Sequence, residues 1–173
     1  VTLLITLGLP GSGKSTEART WQANGRLGEP MRVYLDRDNL REMLWNETGL
    51  LTQQKEMAVT VAQHSMLRQF LVNGYDVVIA DTNLRIDRHL VLVDIAHGLG
   101  HSVQYADLRH VPVETCIERD EQRRKGGGRY VGPDVIRDMA KRYGLPVPEG
   151  YGISPSALIS TFGVFNSTDG KDF

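Results

Sequence analysis

Short apolar runs alternate with longer amphipathic stretches along this chain, the pattern of helices covering a parallel sheet. Residues 3–7, Leu-Leu-Ile-Thr-Leu, read as a buried strand ending at Gly8, and a helix is predicted over 14–24. Residues 32–35 form a second strand. Asp38 stands at a helix-cap position ahead of Leu40, Met43, Leu44 and Trp45. A long helix is predicted over 52–72, with Met57, Val61, His64, Leu67 and Leu71 at helical spacing. A third strand covers 76–80. Helix 87–98 follows, with Leu90, Val93, Ala96 and His97 facing in, and then a fourth strand over 102–108. Pro112 opens a helix reaching about residue 124, and Pro133 opens another through Arg142. From Gly144 the pattern turns irregular; residues 157–161 suggest a last edge strand, and 166–173 a frayed end.

With 173 residues, 40% of them hydrophobic, the chain can fill one core, so a single domain over 1–173 is expected. Twenty basic against twenty-one acidic side chains leave a net charge of −1. That excludes a global basic field, so any polyanion site must be local. The lone Cys116 excludes an intrachain disulfide framework and fits a reducing compartment. Apolar runs fall short of the roughly 18–20 residues of a membrane span. The N-terminus lacks the basic region of a signal peptide, so no membrane contact and a cytoplasmic location are expected.

The strongest chemical signal is Gly8-Leu9-Pro10-Gly11-Ser12-Gly13-Lys14-Ser15, a full G-x-x-x-x-G-K-[ST] between a predicted strand and a predicted helix. Glycines let backbone N–H groups converge on phosphate oxygens, and the following helix adds its positive end. Lys14 supplies a cation for the β and γ phosphates, and Ser15 a hydroxyl for Mg²⁺. Gly11, Ser12, Gly13, Lys14, Ser15 and Thr16 are therefore the candidate nucleotide contacts, with ATP or another NTP and Mg²⁺ as cofactors. The predicted fold class is α/β, a P-loop NTPase-type kinase fold with a central parallel sheet of four or five strands flanked by helices.

A P-loop does not name the acceptor. Asp36-Arg37-Asp38-Asn39-Leu40-Arg41 follows the second strand, where strand ends line the ligand crevice. A carboxylate there can take a proton from an attacking hydroxyl, and Arg41, one turn on, can clamp an anion. Asp81-Thr82-Asn83 ends the third strand. Asp81 is placed for Mg²⁺, directly or through water, while Thr82 and Asn83 suit phosphate or sugar contacts. Residues 119–129 hold five basic side chains (Arg119, Arg123, Arg124, Lys125, Arg129) against Asp120 and Glu121. Beside Gly126-Gly127-Gly128 they predict a mobile basic lid over about 119–132 that neutralises charge on the transferring phosphate.

Taken together, GLPGSGKST, LDRDNLR, VVIADTNL with RIDRHL, and VPVETCIERDEQRR with PDVIRDMAKR resemble the 5′-hydroxyl polynucleotide kinase domain of phage polynucleotide kinase-phosphatases. The resemblance implies an ATP-dependent kinase of 5′-OH ends of DNA or RNA in end repair, in host cytoplasm if phage-encoded. It makes Asp38 the general base, Arg41 the reader of the acceptor's phosphate and Arg123 the lid arginine. Lys14 and Ser15 match the nucleotide and metal contacts, Arg119 a second basic position, and Asp81, Thr82 and Asn83 the acceptor and metal motif. Residues 124–132 are longer and richer in glycine than that family's pattern. Residues 165–170 lack the D-x-D-x-T of the companion phosphatase, which predicts a kinase-only chain. A P-loop kinase of a small hydroxyl compound, a sugar acid or nucleoside, fits the same motifs. A non-catalytic ATP-sensing module is the third reading.

Overall fold

Strand β1 (Thr2–Leu7) is buried at five of its six positions, so apolar residues run on without alternation. That is the mark of a strand covered on both faces and paired on both edges. The computed structural model describes residues 1–47 and 51–150. In chain order β1 is followed by α1 (Lys14–Ala23), β2 (Arg32–Leu35), α2 (Arg37–Trp45), α3 (Gln53–Val72), β3 (Asp76–Ile79), α4 (Ile86–Gly98), β4 (Ser102–Asp107), α5 (Val113–Lys125) and α6 (Pro133–Arg142).

The four strands lie in the order β2-β3-β1-β4, every pair parallel. Leu3 sits opposite Val77 on one side and Val103 on the other. The predicted α/β fold with a four-stranded parallel sheet is therefore observed. Leu3, Ile5, Leu7, Val77 and Ile79 point into the larger core with Leu67, Leu71, Leu92, Ile117 and Ile136. Leu4 and Val78 point the other way, onto Ala18 and Trp21 of α1. The suggested strand 157–161 and the end 166–173 lie outside the described residues. Just past Gly144, Leu145 and Val147 are buried in the core.

Local chemistry corrects three expectations. The cap of α2 is Asp36, whose carboxylate accepts from the Asn39 N–H at 2.6 Å and its side-chain amide at 2.9 Å. Asp38 lies two residues further on, in the first turn of the helix. In α3 the buried stripe is Val59, Gln63, Leu67 and Leu71, whereas Met57 and Val61 are exposed. Apolar residues occur on both faces of this helix, and docking against β3 selects the 59-63-67-71 row. In α4 His97 is exposed, and the inner face uses His89, Leu92, Val93, Ile95 and Ala96.

Candidate active site

Beyond β1 the chain turns through residues 8–13 into α1. Gly11 has φ 81°, and a Cβ there would lie 2.2 Å from the Cys116 carbonyl oxygen, so the close approach to α5 requires glycine. Gly13 caps α1 with φ 104°. The Lys14 side chain folds back, its Nζ donating to the Leu9 carbonyl at 2.6 Å. An ammonium carries three donors, so this single bond leaves capacity for a ligand's oxygens. The Ser12 hydroxyl is buried with no hydrogen-bond partner among the described residues. A deep ammonium, an unpartnered buried hydroxyl and a glycine-shaped concavity fit a polyphosphate. Ser15 and Thr16 stand exposed at the start of α1.

Burial pushes the Lys14 ammonium down to about 8. Cys116, Asp81 and Asp38 work against that fall, and Arg123 adds to it. Asp38, Asp81 and Arg123, from three other stretches of sequence, are thus near enough for their charges to act on the Lys14 ammonium.

The turn after β3 is tied to the P-loop. The Gly8 N–H donates to the Thr82 carbonyl at 3.2 Å, and Thr6 Oγ1 to the Asp81 carbonyl at 2.9 Å. Asn83, at φ 48°, donates from its amide to the Thr6 carbonyl at 2.9 Å, so part of its hydrogen-bonding capacity secures the turn. The Asp81 carboxylate accepts from the Arg37 N–H at 2.9 Å and from Gln63 Nε2 at 2.6 Å. Burial nevertheless outweighs these donors and raises its pKa. Ser15 and Asp81 could hold a Mg²⁺; both Asp81 oxygens already accept hydrogen bonds, which would suit contact through water.

On the facing side Arg41 is gripped by two carboxylates. Its Nε and Nη2 donate to Glu56 at 2.7 and 3.0 Å, and its Nη1 to Asp38 at 2.6 Å. Burial opposes the cation, but Glu56 and Asp38 outweigh it and raise the Arg41 pKa. Arg37 also donates to Glu56, at 2.6 Å. Asp38 is 45% exposed and carries a second ion pair, to Arg129 from the loop after α5.

Helix α5 brings Arg119 to the P-loop, where Nη1 donates to the Ser12 carbonyl at 3.2 Å. Arg123 pairs with the buried Asp120. The Asp120 carboxylate also accepts from the Val131 and Gly132 N–H groups, at 3.0 and 2.9 Å. Burial alone would raise the Asp120 pKa; the Gly132, Arg123 and Val131 donors reverse this and hold it below the ordinary carboxylate range. A folded-state pKa below the unfolded one stabilises the fold above the ordinary carboxylate pKa and loses that effect in acid. Asp120→Asn is therefore expected to cost about 1–3 kcal/mol near neutrality. In thermal unfolding the gap to wild type narrows as pH falls toward about 3. Equal melting temperatures near neutrality would contradict this.

A family model described as an AAA domain matches residues 3–146, nearly the whole described fold. The chain belongs to that family. This AAA domain is 26% identical over 152 residues to a protein of Autographa californica nuclear polyhedrosis virus named "Putative bifunctional polynucleotide kinase/RNA ligase". The match covers 82% of this chain but 20% of that protein. A chain in the structure of the Pnkp1/Rnl/Hen1 RNA repair complex superposes with a TM-score of 0.71 at 25% identity, over 81% of this chain and 43% of that one. A gluconokinase from Sinorhizobium meliloti 1021 shares the fold with a TM-score of 0.54 at 19% identity, over 86% of this chain and 77% of its own. The chain thus has a P-loop kinase-type fold, shared with a chain of that RNA repair complex and with the gluconokinase. None of its described helices is long and apolar enough to cross a membrane.

Two residues of this crevice, Glu56 and Gln63, escaped the sequence reading; Arg37 and Arg129 lay in stretches it singled out, without the partners they have here. Gln63 carried a signal, being the polar member of the row Val59, Gln63, Leu67, Leu71. Glu56 carried none, because its partners Arg41 and Arg37 lie 15 or more residues away in an element whose docking no local pattern states.

Proposed function

We propose that this chain is an ATP-dependent phosphotransferase that moves the γ-phosphate to a hydroxyl of a small acceptor such as a sugar acid or nucleoside. The observation that carries the phosphotransferase reading is the glycine-shaped cradle with its buried Lys14 ammonium and its Ser12 hydroxyl, unpartnered among the described residues. Size supports a small acceptor. The cavity beside Asp81, Thr82 and Asn83 holds about 490 Å³, within the range that encloses small ligands. Asp38, moreover, is covered from two sides by Arg41 and Arg129.

In this mechanism Asp38 takes the proton of the acceptor hydroxyl as its oxygen bonds to the γ-phosphorus. The bond from that phosphorus to the β-bridging oxygen breaks, and ADP leaves. Lys14 and Arg123 neutralise charge on the transferring group, Arg123 turning from Asp120 to do so, while Gly11, Ser12, Gly13, Thr16 and Arg119 hold the nucleotide. Ser15 and Asp81 would hold Mg²⁺, which when bound would offset the negative charge of the phosphates.

A second reading, transfer to the 5′-OH ends of DNA or RNA, is supported by the virus protein and by the RNA repair complex. On that reading Arg41 contacts the acceptor's phosphate. Transfer of labelled γ-phosphate to gluconate, adenosine, adenosine 3′-monophosphate and a 5′-OH oligonucleotide separates the two. Labelling of a small compound is expected. Labelling of the oligonucleotide alone would replace the first reading by the second. ATP binding with no transfer to any acceptor would leave the non-catalytic module.

A further inference from the structure

The cavity between α3, α4 and α6 has a feature that neither acceptor reading uses. Four arginines from three segments line it: Arg37 of α2, Arg85 at the cap of α4 with Arg88 in its first turn, and Arg142 of α6. Three carboxylates share the wall, and their engagements matter. Asp81 is occupied by the Arg37 N–H and Gln63. Asp87 is gripped by Arg85, at 2.7 and 3.2 Å. The third, Asp138, lies on α6. Arg37 itself spends its guanidinium on Glu56 and Thr60.

Arg88 differs, since its guanidinium makes no ion pair or hydrogen bond among the described residues. Burial and then the neighbouring Arg85 and Arg37 push its pKa down, ahead of the opposing pull of Asp87 and Glu56. On the α3 side His64 is pushed down as well, by burial and then by Arg37 and Arg68. Arg88 itself remains solvent-exposed on the cavity wall, so an entering anion can reach it, and the like charges of Arg85 and Arg37 beside it favour one.

We propose that this cavity is an oxyanion subsite in which Arg88, flanked by Arg85 and Arg142, seats a phosphate or carboxylate carried by the acceptor. The word acceptor rests on the kinase reading; the binding of an oxyanion does not. The subsite adjoins Asp81, Thr82 and Asn83 at the end of β3, so an anion held there leaves the rest of the molecule to extend toward the crevice. A phosphate would come from a nucleotide or polynucleotide end, a carboxylate from a sugar acid.

The test is calorimetric titration of the whole chain with its P-loop saturated by a non-hydrolysable ATP analogue. The probes are inorganic phosphate, adenosine 3′-monophosphate against adenosine, and gluconate against glucose. At least one anionic probe is expected to bind more tightly than its neutral counterpart. Arg88→Ala weakens that probe by about 10- to 100-fold, the range for losing a charge-assisted contact. Arg88→Lys keeps part of the affinity, and the ATP analogue binds all three proteins alike. The phosphate and carboxylate arms identify the source of the anion. Equal binding of charged and neutral probes, no binding of any probe, or indifference to Arg88→Ala overturns the subsite. Arg88-dependent anion binding without γ-phosphate transfer to any acceptor would instead retire the kinase reading and leave the subsite standing.

Discussion

Replacing Lys14 by methionine is expected to abolish γ-phosphate transfer and, at the same pH, to raise the melting temperature. The ammonium is 8% exposed, and burial brings its pKa from the ordinary 10.5 to about 8. The unfolded chain therefore holds this proton more tightly than the folded one. Below about pH 8 the folded state bears the full penalty, on the order of 3 kcal/mol, and the penalty fades as pH climbs toward the unfolded value. Methionine fills similar space without charge. The Leu9 carbonyl it abandons still accepts from the Ser12 N–H at 3.1 Å, so no buried acceptor is orphaned. Catalysis has no such substitute, and loss of this cation from the phosphate cradle should lower turnover by roughly 10²–10³-fold or more. Calorimetric melting near pH 7 and again near pH 9 checks the argument, with the stabilisation shrinking at the higher pH. A variant that melts lower than wild type near neutrality would show that the Leu9 bond outweighs desolvation.

Asp38→Asn is the second large effect. The side chain keeps its shape but loses the lone pair and charge that accept a proton. General-base loss typically costs about 10²–10⁴ in rate, so turnover should fall by that much with nucleotide affinity unchanged. Stability should hardly move. Asp38 is 45% exposed, and exposed ion pairs such as those to Arg41 and Arg129 contribute about 0–1 kcal/mol. Arg41 also retains Glu56 as a partner. Single-turnover transfer measured beside nucleotide binding separates the effects. Retention of more than a tenth of the wild-type rate would remove Asp38 from the role of base.

The sheet was legible because its inner strands are short, largely apolar runs, and 3–7 and 76–80 announce themselves without help from neighbours. The P-loop was legible for a related reason: its chemistry is contiguous, and one turn carries glycines, lysine and serine in fixed order. Legibility failed where two local solutions competed. Asp36 and Asp38 are both acceptable caps, and only the double grip on Asn39 decides for Asp36. It failed again where pairing is distant. Nothing around Glu56 hints that it neutralises two arginines of α2, because that depends on how α3 lies across α2.

The loop that carries Arg129 looks from its glycines like a free flap, but its hydrogen bonds describe something else. At one end the Gly128 N–H is tied to the Arg123 carbonyl at 2.9 Å. At the other, Val131 and Gly132 are tied to Asp120, and between them the Tyr130 hydroxyl is tied to Glu121 at 2.8 Å. Every one of these anchors belongs to α5. Arg129 is therefore a hook fixed to the same lever that carries Arg119 and Arg123. A tilt of α5 would move the Arg119 contact with the Ser12 carbonyl and the Arg129 contact with Asp38 together. The two halves of the crevice share one handle.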